Sequence, residues 1–161
     1  MLRNILLIVI LILPAIFSNA QVNDRRIRLL VLRKGIVDST FTFGKWSENG
    51  GEETHLRYLG KVTTKSGRTI KVVNSTWFWG LAHRATSRIL IFNERNQYVG
   101  NYYLDTMDDL PVELRGSVLI FHTVTSNYKK SNLITVSLEN GLPKLLIAKC
   151  EFINEYYSEF N

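Results

Sequence analysis

The sequence is short of the features that usually disclose a function. One cysteine, Cys150, stands among 161 residues, so an internal disulfide is excluded and the core must hold the fold by itself. Cys150 sits in the apolar run "LLIAKCEF", which predicts a buried, inert thiol rather than a nucleophile. There are three prolines, no Pro- or Ser-rich linker and no internal repeat, so one domain is expected. The chain lacks His-Glu-x-x-His, Gly-x-Ser-x-Gly, a phosphate-binding loop and paired-cysteine spacing, which removes the common signatures of hydrolases, nucleotide enzymes and zinc sites. The three histidines, His55, His83 and His122, fall in separate segments. No cofactor and no metal ligand set are therefore predicted.

Long apolar runs are also missing, except at the start. Arg3, the unbroken run Ile5 to Leu13, Pro14 and then Ser18-Asn19-Ala20 have the layout of a secretory signal peptide with cleavage after Ala20. The run is shorter than the roughly 20 residues that span a bilayer. The expectation is a signal peptide at 1–20, a mature domain at 21–161, and a periplasmic or secreted protein of bacterial type. Once cut, that protein would not be an integral membrane protein.

What the mature part does have is β-sheet chemistry. Runs rich in Val, Ile, Thr, Tyr and Phe are separated by Gly/Asn/Ser turns. "RIRLLVLRK", "IVDSTFTFGKW", "HLRYLGKVTT", "RTIKVVNSTW", "SRILIFN", "QYVGNYYLD", "SVLIFHTVT", "NLITVSLEN" and "PKLLIAKCEF" all read as strands. Hairpins are expected at Lys65-Ser66-Gly67 and Glu94-Arg95-Asn96, a tight turn at Asn49-Gly50, and one helical turn within "MDDLPVEL"; "EFINEYYSEF" fits a last strand or a short helix. The predicted fold is all-β, a single domain of about eight to nine mostly antiparallel strands, barrel or sandwich, with little helix.

Charge is uneven. The whole chain carries a formal net charge of +6. Lys61 to Arg95 holds seven basic residues and only one acid, Glu94, whereas Asp105 to Glu113 and the tail with Glu151, Glu155 and Glu159 are acidic. A basic and an acidic face would steer a charged partner. Basic residues mixed with aromatics also suit nucleic acid, but an exported protein of modest charge predicts no nucleic-acid partner.

The densest stretch is "NSTWFWGLAHRATSR", Asn74 to Arg88. On a strand, Trp77 and Trp79 share one face and Phe78 takes the other, and Gly80 releases the chain into a connector bearing His83, Arg84 and Arg88. Tyr98 and Tyr102 are expected on one face of a second aromatic strand, with Gly100 between them. Tryptophan and arginine dominate binding hot spots. Trp77, Trp79, Arg84, Tyr98 and Tyr102 are therefore the predicted binding surface of a non-enzymatic exported module, its partner an envelope or secreted protein or a small apolar or glycan ligand. Two rivals stand beside it: a cell-envelope glycan hydrolase using Asp105, Asp108, Asp109 and Glu113, which needs two carboxylates facing one cleft, and an inhibitor or immunity-type protein. "FGKW", Phe43 to Trp46, contains a Gly-x-Trp similar to that of the lipocalins, and the tripeptide is the whole of the likeness. Asp38-Ser39-Thr40 and Asp105-Thr106-Met107 resemble O-glycosylation acceptors of exported bacterial proteins.

Overall fold

The computed structural model describes residues 20–124, 131–149 and 152–157. The signal-peptide residues before Ala20, together with Cys150, Glu151 and Glu159, lie outside them. The described chain runs α1 (Ala20–Lys34), β1 (Thr40–Gly44), β2 (Glu53–Thr63), β3 (Thr69–Trp79), β4 (Arg84–Asn93), β5 (Tyr98–Leu104), a 3-10 turn (Met107–Asp109), β6 (Glu113–Arg115), β7 (Val118–Val124), β8 (Ser131–Ser137), β9 (Leu145–Lys149) and β10 (Phe152–Tyr157). β1 to β5 form an antiparallel meander that β10 and β9 extend, giving the order β1-β2-β3-β4-β5-β10-β9, and β6-β7-β8 form a second, three-stranded sheet. The sheets do not close, so the chain is a mostly β, sandwich-like protein.

One of the expected strands is a helix. "RIRLLVLRK" closes α1, where Ile27, Val31 and Leu32 recur at i, i+4 and i+5 on the side packed against the sheet. A short apolar run fits either periodicity, and burial against a sheet face selects the helical one here. Arg33 and Lys34 occupy the last turn, where cations complement the helix dipole. Gly35 then takes φ 60° and its N–H bonds back to Val31 O at 3.0 Å, a left-handed helix stop.

The large sheet is thus covered on both faces. Leu59, Val62, Ile70, Val72, Ile89, Ile91, Tyr102, Leu104 and Leu146 pack with Leu119, Phe121 and Leu138 in the main core. On the opposite face Leu56, Tyr58, Val73, Leu90 and Phe92 pack under α1. Two polar ties pin the small sheet's leading segment: Asn74 Nδ2 donates to Pro111 O at 2.8 Å and Arg57 Nη2 to Val112 O at 3.0 Å. β8 shows a half-covered strand, with Ile134 and Val136 packed inward and Leu133, Thr135 and Ser137 outward.

Two β-bulges decide which side chains meet. In β2 the register runs Tyr58↔Val73 and then Gly60↔Val72, leaving Leu59 extra. In β5 it runs Phe92↔Tyr98 and then Ile91↔Gly100, leaving Val99 extra. The second bulge overturns the expectation that Tyr98 and Tyr102 share a face. Tyr98 packs toward α1, whereas Tyr102 is wholly buried in the main core and its hydroxyl donates to Pro143 O at 2.5 Å.

Candidate functional site

The aromatic stretch forms the distal end of the β3–β4 hairpin. The predicted connector after Gly80 is only the turn Gly80 to His83; Arg84 pairs with Trp79 and Arg88 with Ser75, so both arginines lie on β4. Gly80 and His83 both take left-handed φ, 68° and 48°, and His83 N–H bonds Gly80 O at 3.2 Å. Leu81 at the tip is 73% exposed. Beyond the reach of α1 and the small sheet, this end covers itself with its own side chains.

On the α1 side of the sheet, Trp77 and Trp79 stack at 5.5 Å between ring centroids, 24° apart, and Arg84 Cζ lies 5.4 Å from the Trp79 ring. Each indole has a fixed polar handle, since Trp79 Nε1 donates to Thr86 Oγ1 at 3.1 Å and Trp77 Nε1 to Glu52 Oε2 at 3.2 Å. Further along the same face Arg88 Cζ lies 4.4 Å over Tyr103. Arg88 Nε is buried with no hydrogen-bond partner among the described residues. Both tryptophans are half-buried and Arg84 is exposed.

Of the five predicted residues, Trp77, Trp79 and Arg84 come together. Tyr98 lies farther along, half-buried against α1 with Arg28 Cζ 5.4 Å from its ring. Tyr102 is core and cannot reach a ligand.

The opposite face of the same end holds a cluster absent from the prediction. Trp46, from the β1–β2 loop, lies 4.0 Å from His83 between ring centroids, and His83 stacks on Phe78 at 4.9 Å. His55 meets the edge of Phe78 at 5.1 Å. Trp46 Nε1 donates to Gly80 O at 2.7 Å, which clips the loop to the hairpin tip. His55 Nε2 is 2.6 Å from Glu53 Oε1, and Trp46 N–H donates to Glu53 Oε2 at 3.3 Å. Those two bonds, the histidine's first, hold the Glu53 carboxyl below its ordinary range. The cluster follows from the β2 bulge. Counted back from the Lys65–Gly67 turn without an extra residue, His55 would pair with Trp77; Leu59 moves it to Thr76, onto Phe78's face.

The acidic run is arranged otherwise. Asp109 Oδ2 accepts from Thr106 N at 3.1 Å and Thr106 Oγ1 at 2.8 Å, closing the expected single helical turn, and Glu113 is bonded by Arg115 at 3.0 and 2.8 Å. Local bonds hold these two, while Asp105 and Asp108 are exposed. Among the described residues, no group of His, Cys, Asp and Glu is set to hold a metal ion, and no helix is long and apolar enough to cross a membrane. The Gly-x-Trp tripeptide ends β1 at Gly44 and places Trp46 in a loop, within sheets that do not close. Comparison with known proteins leaves the site to be read from its own geometry, since no family model, no curated protein and no solved structure matches the chain.

Proposed function

We propose that this chain is an exported, non-enzymatic binding module that engages a protein partner of the envelope or the secreted fraction through the distal end of the β3–β4 hairpin. The observation that carries the reading is the Trp77–Trp79 pair. Two indoles stack half-exposed, with Arg84 against one of them and Leu81 exposed at the hairpin tip. Large rings held rigid by their own hydrogen bonds lose little freedom when a partner covers them. The exposed guanidinium of Arg84 supplies the polar part of such a contact. A protein partner is favoured over a small ligand because the apolar groups project from both faces of a hairpin end instead of lining a pocket.

The test is capture from envelope and medium fractions, with a photo-crosslinking residue placed at Leu81 or, as control, at Lys65 at the other end of the hairpin stack. A partner crosslinked from Leu81, not from Lys65, and lost by folded Trp79→Ala/Arg84→Ala protein supports the reading. Equal labelling from both positions, or capture that survives the double substitution, refutes it.

A further inference from the structure

We infer that the outer side of α1 docks on an anionic lipid surface. Ile27, Val31 and Leu32 commit the inner side of the helix to the sheet. The remaining side presents Arg25, Arg26, Arg33 and Lys34, all exposed, around Leu29 and Leu30, and Leu30 is 41% exposed. Arg26, Leu29, Leu30 and Arg33 line one groove, as expected for positions i, i+3, i+4 and i+7 of a helix. Just past the Gly35 stop, Ile36 and Val37 continue the apolar strip at 50% and 52% exposure.

From Arg25 to Val37 the sequence has five basic residues and no acid. The acids flanking this stretch are Asp24 and Asp38, and Arg57 Nη2 donates to the Asp38 carboxylate at 2.9 Å. Arg28 stacks inward on Tyr98, and Lys34 Nζ lies 4.9 Å over Phe41, its charge still at the surface.

An anionic bilayer complements both parts of this surface. Headgroups attract the cations, and aliphatic side chains enter the boundary between headgroups and acyl chains while arginine and lysine stems reach back to the phosphates. The strip has no aromatic anchor and no fixed hydrogen-bonding geometry, which suits a fluid surface better than a shaped protein partner.

The experiment is sedimentation of the chain, as cells process it and with its N-terminus read by mass spectrometry, with two kinds of vesicle. One is phosphatidylcholine alone; the other contains about one-third phosphatidylglycerol. Roughly tenfold stronger binding to the anionic vesicles is expected, declining as salt is raised. Arg26→Glu/Arg33→Glu should abolish the preference, and the milder Arg26→Gln/Arg33→Gln should weaken it if the first variant folds poorly. Arg84→Ala should leave it unchanged. Equal binding to the two vesicles, or an unaltered preference in a folded Arg26/Arg33 variant, overturns the inference.

Discussion

The β3–β4 ladder has two ends built by different rules. Near its middle and proximal end, Ile70, Val72, Ile89 and Ile91 are aliphatic, buried and covered by the small sheet. At the distal end, in the same two strands and the same unbroken register, the side chains are Trp77, Phe78, Trp79 and Arg84, with His83 in the turn that joins them, none of them buried. Where another layer covers the strand, burial of plain hydrocarbon suffices. Where the layers stop, the sheet needs groups that are apolar in body and polar at the edge, and each of the three indoles there has its N–H satisfied: Trp46 by Gly80 O, Trp77 by Glu52 and Trp79 by Thr86. The contrast teaches that aromatic density in this chain marks where the core ends.

Substitutions at the two ends should separate these rules. Ile89→Ala, at a fully buried position, is expected to cost about 2–5 kcal/mol, because it removes apolar contact and leaves a cavity; urea unfolding measures it. Gly44→Ala should cost about 1–3 kcal/mol. Gly44 has φ 75° and an added Cβ would strike the Glu52 carbonyl, so the loss should come with release of Trp46 from the hairpin tip, seen in its fluorescence. Trp79→Ala should cost about 1–2 kcal/mol, since only part of its area is withdrawn from water, while abolishing partner capture. A loss as large as that of Ile89→Ala would make the distal end part of the core. Trp46→Phe keeps the ring and deletes the bond to Gly80 O, for about 0.5–1.5 kcal/mol, and should speed amide exchange in the turn.

The smallest expected effect is on pH. The His55 and Trp46 bonds lower the Glu53 carboxyl from its ordinary value of 4.5. A depressed carboxylate stabilises the fold while it is charged, so its contribution is whole above that value and fades as pH falls through the lower, folded-state value. The melting temperature of the native protein should therefore drop more steeply than that of Glu53→Gln in acid, and the two curves should converge at the lowest pH. Parallel curves would mean that the Glu53–His55 pair contributes nothing to stability.

Much of the sheet was readable from alternation and turns: the Lys65–Gly67 and Glu94–Asn96 hairpins, the strand at β8, and the opposed faces of Trp77 and Phe78. These are local patterns, and local sterics enforce them. Long-range register was not readable. One extra residue at Leu59 carries His55 to Phe78's side, and one at Val99 separates Tyr98 from Tyr102. A bulge is a property of two strands together, and Gly60 and Gly100 were its only local marks. The helix at "RIRLLVLRK" escaped because three apolar positions suit either period until a sheet face is present to bury them. The His55–Phe78–His83–Trp46 cluster draws on segments no local motif connects, so it could emerge only once the strands were paired.

His83 adds a consequence of a different kind. It stands at φ 48°, a conformation that histidine tolerates at a cost on the order of 1 kcal/mol and glycine adopts freely. Backbone comfort alone would place glycine there, as it does at Gly80. The ring's contacts with Trp46 and Phe78 work against that cost. His83→Gly is thus a substitution whose two effects oppose each other: it relaxes the turn while unfastening the loop, and the sign of the net change weighs the stack against the strain.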